Sequence, residues 1–312
     1  MSKAQALFTV VIPAFNAAPY IEHTLLSVQR QSLPDWEAII VDDASTDDTA
    51  RIVRQLAAGD PRIRVVAGQH RGVSAARNLG LSLARGRYIA LLDADDLWMP
   101  GKLAAHLRHL ESFAEVGVSF SRVRFMSADG EPGKVCSRVP RDPVPAWRLL
   151  YDNPATTCST LVFRRGLLAR VGGFDESIGY AEDLEWLLRA AVRGRATVAG
   201  LQSTLVLYRT NEAGLSSRLE RMQEGWEMMV DRARTYAPDI VARHERRARA
   251  WHLRYLARRA LRLGLPPETG WRLMRAALEE DRWLLLRDPV RAGLTLAASA
   301  ARRMFPDRMS PR

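Results

Sequence analysis

Tyr88-Ile89-Ala90-Leu91-Leu92-Asp93-Ala94-Asp95-Asp96 joins an apolar run directly to three carboxylates. A run of that kind reads as a buried strand. Carboxylates repel one another and resist burial, so a cluster at the end of a buried strand calls for a compensating cation. A divalent metal holding a phosphate-bearing ligand meets that need. The plainer alternative is a surface turn, where Asp is favoured for its local hydrogen bonds.

The neighbouring segments decide between the two. Upstream, Phe8–Pro13 is apolar and β-branched, and residues 19–31 carry helical spacing through Ile21, Leu25 and Val28. Residues 38–41 read as a second strand and 49–57 as a second helix. Residues 63–66 form a third strand, and a helix over 74–84 is entered after Gly72. Downstream come a helix over 102–113 and a strand over 116–124. Strand–helix alternation at this spacing predicts an α/β fold with a mostly parallel, Rossmann-like sheet. Ligands of such sheets sit at the carboxyl ends of the strands. Those ends hold Pro13-Ala14-Phe15-Asn16, Asp42-Asp43-Ala44-Ser45-Thr46-Asp47 and Asp93-Ala94-Asp95-Asp96. Three polar clusters at one sheet edge favour a binding site over scattered turns.

Each cluster has readable chemistry. Asp43 can accept a hydrogen bond from a base N–H, and Phe15 offers a flat face for stacking. Ser45 or Thr46, just before a helix, reads as a helix cap. In Gly72-Val73-Ser74-Ala75-Ala76-Arg77-Asn78, the glycine allows close backbone approach. Arg77 can meet a phosphate or form an ion pair with one of the acidic clusters.

These stretches, in this order and spacing, resemble the family 2 glycosyltransferases of the GT-A fold over roughly residues 7–210. The resemblance implies a nucleotide-diphosphate-sugar domain over 1–217. Pro13, Phe15 and Asp43 would contact the nucleobase and ribose, with Ala14, Asn16, Gly72 and Arg77 in the same donor-binding rim. Asp93 would face the ribose or sugar. Asp95 would hold Mg²⁺ or Mn²⁺ at the diphosphate, with Asp96 as a supporting acid or second ligand. The family pattern also predicts an acid further on, and Gly179-Tyr180-Ala181-Glu182-Asp183-Leu184 supplies one. By resemblance Asp183 is the general base and Glu182 lines the acceptor site. An acidic helix start stabilised by the macrodipole is the plainer reading of that pair. The implied activity is inverting transfer from a nucleotide-diphosphate sugar, expected to be a UDP-sugar, to a hydroxyl. The acceptor would be a glycan or lipid-linked, in cell-surface polysaccharide synthesis. Two departures stand out: Phe15 takes the place of a more usual Tyr, and Asn211 stands where similar enzymes often carry a His, leaving Arg209 or Ser216 as substitutes.

Composition sets outer limits. The 312 residues are 47% hydrophobic and 26% charged, ordinary for a globular chain. Only Cys136 and Cys158 occur, so a disulfide framework is not expected. No stretch has the length of a membrane span, and the N-terminal apolar run is too short for a signal peptide. A cytoplasmic location is expected. The net charge of +11 is uneven: residues 218–312 hold 21 Arg and 12 acids, a net of +9. No nucleic-acid motif accompanies that excess, so no nucleic acid is expected as partner. An anionic lipid surface is a better match, with peripheral contact at the inner face of the membrane.

The Pro- and Gly-rich segment 130–145 reads as a loop over the site, with Trp147, Tyr151 and Trp186 as an aromatic wall for sugar or as core. Beyond residue 217 the pattern turns helical. Met222, Trp226 and Met229 share a face, Pro266-Pro267 breaks a long helix, and a last helix spans 289–304. That last helix, with Ala292, Leu294, Leu296 and Ala297 ahead of Arg302 and Arg303, either lies on a membrane or docks on its neighbours. Two other functions suit acidic strand ends. A sugar-phosphate nucleotidyltransferase would carry a Gly-rich basic loop after the first strand, which is absent. A non-catalytic sugar-binding relative would have lost Asp95 or Asp183, which are present.

Overall fold

A computed structural model describes residues 6–210 and 218–304. The chain divides into two compact units. The first comprises Met1–Pro145, Asn153–Ser177 and Glu185–Asn211; the second comprises Ala146–Asp152, Ile178–Leu184 and Glu212–Arg312.

The first unit begins with the expected alternation: β1 (Phe8–Ala14), α1 (Ile21–Gln29), β2 (Trp36–Asp42), α2 (Thr49–Gly59), β3 (Ile63–Ala67), α3 (Val73–Leu83) and β4 (Tyr88–Leu91). A two-residue β5 (Leu97–Trp98), α4 (Lys102–Ser112), β6 (Val116–Met126) and β7 (Pro132–Cys136) follow. Then come β8 (Val162–Arg164), a short α5 (Leu168–Val171), α6 (Glu182–Val192) and β9 (Thr197–Arg209). The first turn of α6 belongs to the second unit and the rest to the first. Among the described residues the strands form one sheet in the order β3-β2-β1-β4-β8-β6-β9-β5, with β7 beside β6. β3, β2, β1 and β4 run parallel. β8 is antiparallel to both of its neighbours, and β9 runs parallel to β6.

The central strands are near-continuously apolar because both faces are covered. Ile40 packs in the large core with Ile21, Leu25, Val28 and Val53 from α1 and α2. Its neighbours Ile39 and Val41 point to the other face and meet Ala76 of α3. Helix α3 approaches the sheet closely: a β-carbon on Gly80 would stand 2.4 Å from a methyl of Val11. In-register pairing sets Ala14 beside Asp42, so the ends of β1 and β2 open on the same edge.

Segment 130–145 departs from the expected loop. Residues 132–136 pair with β6, and Val144 makes an isolated bridge to Val198. Only 132–136 is strand, and the rest of the segment up to Val144 is the expected loop; the Pro and Gly content concealed the strand. Trp186 is core, buried and packed between Phe163 and Phe174.

In the second unit, α7 (Leu219–Tyr236) lies against α8 (Pro238–Arg262), and α8, α9 (Pro267–Glu280), a one-turn α10 (Leu284–Arg287) and α11 (Pro289–Met304) pack around Leu253, Ala257, Met274, Ala277, Leu284 and Ala292. Met222, Trp226 and Met229 line the buried face of α7, and Trp226 stacks on His252 of α8. No helix among the described residues is long and apolar enough to cross a membrane.

Candidate active site

The carboxyl edge of β1, β2 and β4 is built from long-range hydrogen bonds. After β1, the Asn16 amide donates to Ser45 Oγ at 3.0 Å, and Asn16 Oδ1 accepts from the Thr46 amide at 2.8 Å. The Ala17 amide donates to Thr49 Oγ1 and the Ala18 amide to Asp47 Oδ2. Ser45 and Thr46 are therefore not the caps of α2; they tie the loop after β2 to the loop after β1. The residue at the helix cap is Asp48.

Asp43 is buried, and its carboxylate accepts from the Arg71 amide at 3.2 Å and the Gly72 amide at 2.8 Å. Two acceptor positions of a carboxylate are thereby used, and others stay available to a ligand. Gly72 has φ +90°, a backbone region that glycine adopts at no steric cost, and this turns the loop into α3. Phe15 is 47% exposed, and its ring lies 4.8 Å from that of His70. His70, which the sequence pattern did not single out, thus joins Phe15 in an aromatic pair beside Asp43. Asn16, Ala44 and His70 all have left-handed φ values (48°, 63° and 56°). Such conformations cost about 1 kcal/mol or more each and gather where the surrounding structure imposes them.

The loop after β4 is clamped from several sides. Thr24 of α1 donates to the carbonyls of Ala94 and Asp96 at 2.9 and 3.0 Å. The Asp93 amide donates to Ser159 Oγ at 2.9 Å. Asp93 Oδ1 accepts from Arg77 Nη2 at 2.7 Å, and Oδ2 from Thr157 Oγ1 at 3.0 Å. Arg77 is therefore a buried ion-pair partner of this cluster and also lies over the Phe174 ring. Arg209 donates its amide to Asp96 Oδ1 and its Nε to the Asp95 carbonyl, both at 2.9 Å. Arg209 thus braces the acidic loop at the Asp96 carboxylate and the Asp95 carbonyl. Asn211 and Ser216 lie outside the described residues.

Electrostatics sharpens the cluster. Burial, then the charge of Asp93, pushes the Asp95 carboxyl up to about 6, with Arg209 working the other way. Burial first, then Asp95 and Asp93, holds Asp96 well above the usual carboxylate range. Asp96 Oδ2 is buried and makes no hydrogen bond of good geometry, although the Ser159 hydroxyl is near enough to relieve it slightly. Acids held against their charge, with an orphaned buried oxygen beside them, fit a divalent cation. No group of three or more His, Cys, Asp or Glu side chains forms a metal cage among the described residues. A cation here would take one or two carboxylates and fill its remaining positions with phosphate oxygens and water, as Mg²⁺ commonly does.

Asp183 and Glu182 occupy the first turn of α6, after Ala181 with φ +66°. Asp183 Oδ1 accepts from the Leu184 amide at 2.8 Å. The neighbouring Tyr180 hydroxyl has its pKa raised by burial, by Tyr255 and by the charge of Asp183. Trp147 is exposed and stacks on His244, whose Nδ1 lies 3.1 Å from the Tyr151 hydroxyl; Trp147 and Tyr151 belong to the second unit.

The profile of glycosyl transferase family 2 matches residues 9–172, more than half of the chain. The chain belongs to glycosyltransferase family 2. TuaG of Bacillus subtilis (strain 168), a glycosyltransferase assigned to teichuronic acid biosynthesis, is 35% identical over 70% of this chain and 84% of its own. WfgD of Escherichia coli, a UDP-Glc:α-D-GlcNAc-diphosphoundecaprenol β-1,3-glucosyltransferase, is 26% identical over 72% of this chain and 86% of its own. Some longer relatives are spanned over only 20% to 63% of their length. Among solved structures, the mannosyltransferase PcManGT of Pyrobaculum calidifontis, in complex with GDP-Man and Mn²⁺, superposes with a TM-score of 0.62 at 22% identity, covering 98% of this chain and 89% of that one. The fold is that of the GT-A enzymes, and this family 2 chain is a glycosyltransferase.

Proposed function

We propose that this glycosyltransferase moves a sugar, with inversion and with the help of Mg²⁺ or Mn²⁺, from a nucleotide-diphosphate sugar to a hydroxyl of a glycan or lipid-linked acceptor in cell-surface polysaccharide synthesis. The observation that carries this reading is the crowding of Asp93, Asp95 and Asp96 at the sheet edge that also holds Asp43 and the Phe15–His70 pair. A UDP-sugar is the expected donor, and WfgD is a relative with a UDP-sugar donor and a lipid-linked acceptor. Residues 1–217 would act as the catalytic domain and 218–312 as a basic helical region.

Phe15 stacks on the base, and Asp43 accepts from a ring N–H beside it. Pro13, Ala14, Asn16 and Gly72 complete the rim with backbone and small side chains. Arg77 holds Asp93 toward the ribose or sugar. Asp95 would hold the metal, with Asp96 as a supporting acid or second ligand. When bound, the metal neutralises the departing diphosphate and so lowers the barrier to its leaving. Asp183 takes the proton of the acceptor hydroxyl as its oxygen attacks the anomeric carbon from the face opposite the nucleotide, with Glu182 beside it. The new C–O bond forms as the sugar–phosphate bond breaks, and the configuration inverts.

A panel of nucleotide sugars with Mn²⁺ or Mg²⁺, with and without excess chelator, tests this. Release of free nucleoside diphosphate, lost in chelator, is the expected result. In a parallel arm with a nucleoside triphosphate and a sugar 1-phosphate, formation of a nucleotide sugar with release of pyrophosphate would assign a nucleotidyltransferase instead. Tight donor binding with no turnover on any acceptor would assign a sugar-binding relative.

A further inference from the structure

Helix α11 is packed inside out for a helix surrounded by water. Its buried residues are Ala292, Thr295, Ser299 and Arg302. Leu296 packs against the core, but three other large apolar residues face outward: Val290 and Leu294 are each 68% exposed and Met304 is 65% exposed. At 3.6 residues per turn, Val290, Leu294, Ala297, Ala301 and Met304 fall within an arc of about 80°, opposite the buried face. In the one-turn α10 just before it, Leu286 is 73% exposed, and Trp283 at its start is 49% exposed. An ordinary amphipathic helix puts such residues against its own core. Here mostly small side chains, with Leu296, dock the helix, and three bulky ones are left to meet something else.

Charge identifies the occupant. Residues 282–304 contain five arginines and one acid. Arg282, Arg287, Arg291 and Arg303 are exposed, and Arg282 lies over the Trp283 ring; Arg287 is paired with Asp281 and Arg303 with Glu268. An apolar stripe carrying a tryptophan and edged with arginines matches the interfacial zone of an anionic bilayer, where apolar side chains enter the acyl boundary and guanidinium groups stay at the headgroups. A second copy of this chain would bring the same arginines face to face, which opposes self-association.

We infer that α10 and α11 form a monotopic docking face, with Trp283, Leu286, Val290, Leu294 and Met304 inserted into a membrane rich in anionic lipid. The surface is carried by the second unit alone and needs neither donor nor turnover, so it stands or falls separately from the catalytic assignment. It goes beyond a general basic attraction by naming the side chains that enter the lipid.

Vesicle flotation of the full chain is the test, with neutral phosphatidylcholine against phosphatidylcholine containing phosphatidylglycerol. Wild type is expected to float with the anionic vesicles, to float at least tenfold less with neutral ones, and to retain part of its binding in high salt. Leu286→Glu combined with Leu294→Glu changes two exposed positions, so its thermal melt should match wild type while anionic binding falls at least tenfold. Results of two kinds would overturn the inference. One is wild type that stays with the soluble fraction in anionic vesicles, or a double variant that floats equally well. The other is a double variant that converts a wild-type dimer to monomer by light scattering with vesicle binding unchanged, which gives the stripe to a second copy.

Discussion

The carboxyl edge of the sheet and the outer face of α11 break opposite rules. At the edge, carboxylates are gathered and buried, and two of them are held above their ordinary pKa. On α11, Val290, Leu294 and Met304 are left in water while small and polar side chains are buried. Neither arrangement serves the stability of the folded chain by itself. Each makes sense if the missing stabilisation comes from outside, a cation with a diphosphate in one case and a lipid surface in the other. A core position and a ligand position can therefore be told apart by asking whether the protein alone satisfies the groups it places there.

The sharpest way to break this comparison is to remove charge from the edge. Asp95→Asn should lower turnover by at least 100-fold while leaving the melting temperature of the metal-free protein equal or higher, because it relieves a crowded, half-buried acid. A clear loss of stability would mean that the cluster supports the fold. Asp183→Asn should lower turnover by about 100- to 10,000-fold, the usual worth of a general base, with donor affinity changed less than threefold. Loss of donor binding in that variant would move Asp183 out of the base role. The two variants separate the group that holds the leaving diphosphate from the group that drives attack.

Removing the balancing cation should have the next largest effect. Arg77→Met leaves Asp93 without its buried guanidinium partner and should destabilise the protein by about 3 kcal/mol in urea unfolding. The double variant with Asp93→Asn should recover part of that loss. If Arg77→Met is neutral, the edge is compensated elsewhere.

Acid titration compares the units directly. Burial, then the charge of Arg249, pushes His252 down to about 3, with a Met222 backbone bond working the other way; Trp226 stacks on the ring and Tyr255 lies 6.4 Å away. A histidine depressed in the fold contributes stability that is complete above its unfolded pKa near 6.5 and is lost as pH falls toward 3. At pH 5 the loss is about 2 kcal/mol. In the first unit, the Arg62 guanidinium bonded to Asp60 holds that carboxyl at about 2 despite its burial. Its contribution is complete above about 4 and is lost as pH falls through 2. Hydrogen exchange between pH 6.5 and 4 should therefore rise in α7 and α8 before it rises around Asp60. His252→Phe should remove most of the difference.

Much of this was legible in the chain, and the reason is geometric. β1, β2 and β4 are neighbours running the same way, so Phe15, Asp43 and Asp93 had to emerge on one edge once the alternation was recognised. What was not legible depends on contacts between distant segments. Thr24, Thr157, Ser159 and His70 hold or flank the site, yet no local period marks them. β8 enters the sheet antiparallel between β4 and β6, and β7 hides in a segment with loop composition. For α11, the apolar stripe was visible, but the choice of buried face belongs to its neighbours: Ala292 packs in the same cluster as Leu253, Met274 and Leu284.

The smallest effect tests one of these distant contacts. Ser45 lies where a helix cap was expected, yet its hydroxyl accepts from the Asn16 amide at the end of β1. Ser45→Ala should cost about 1 kcal/mol, the ordinary worth of a hydrogen bond whose partner is left unmet. A cap would place that loss in α2 and leave the donor untouched. A tie between the two strand ends would instead loosen the strained Asn16 and Ala44 backbones beside Phe15. Hydrogen exchange of α2 should accordingly stay unchanged in Ser45→Ala, while nucleotide affinity weakens by a few-fold. The opposite pattern would return Ser45 to the helix and leave Asn16 to be held by Thr46 alone.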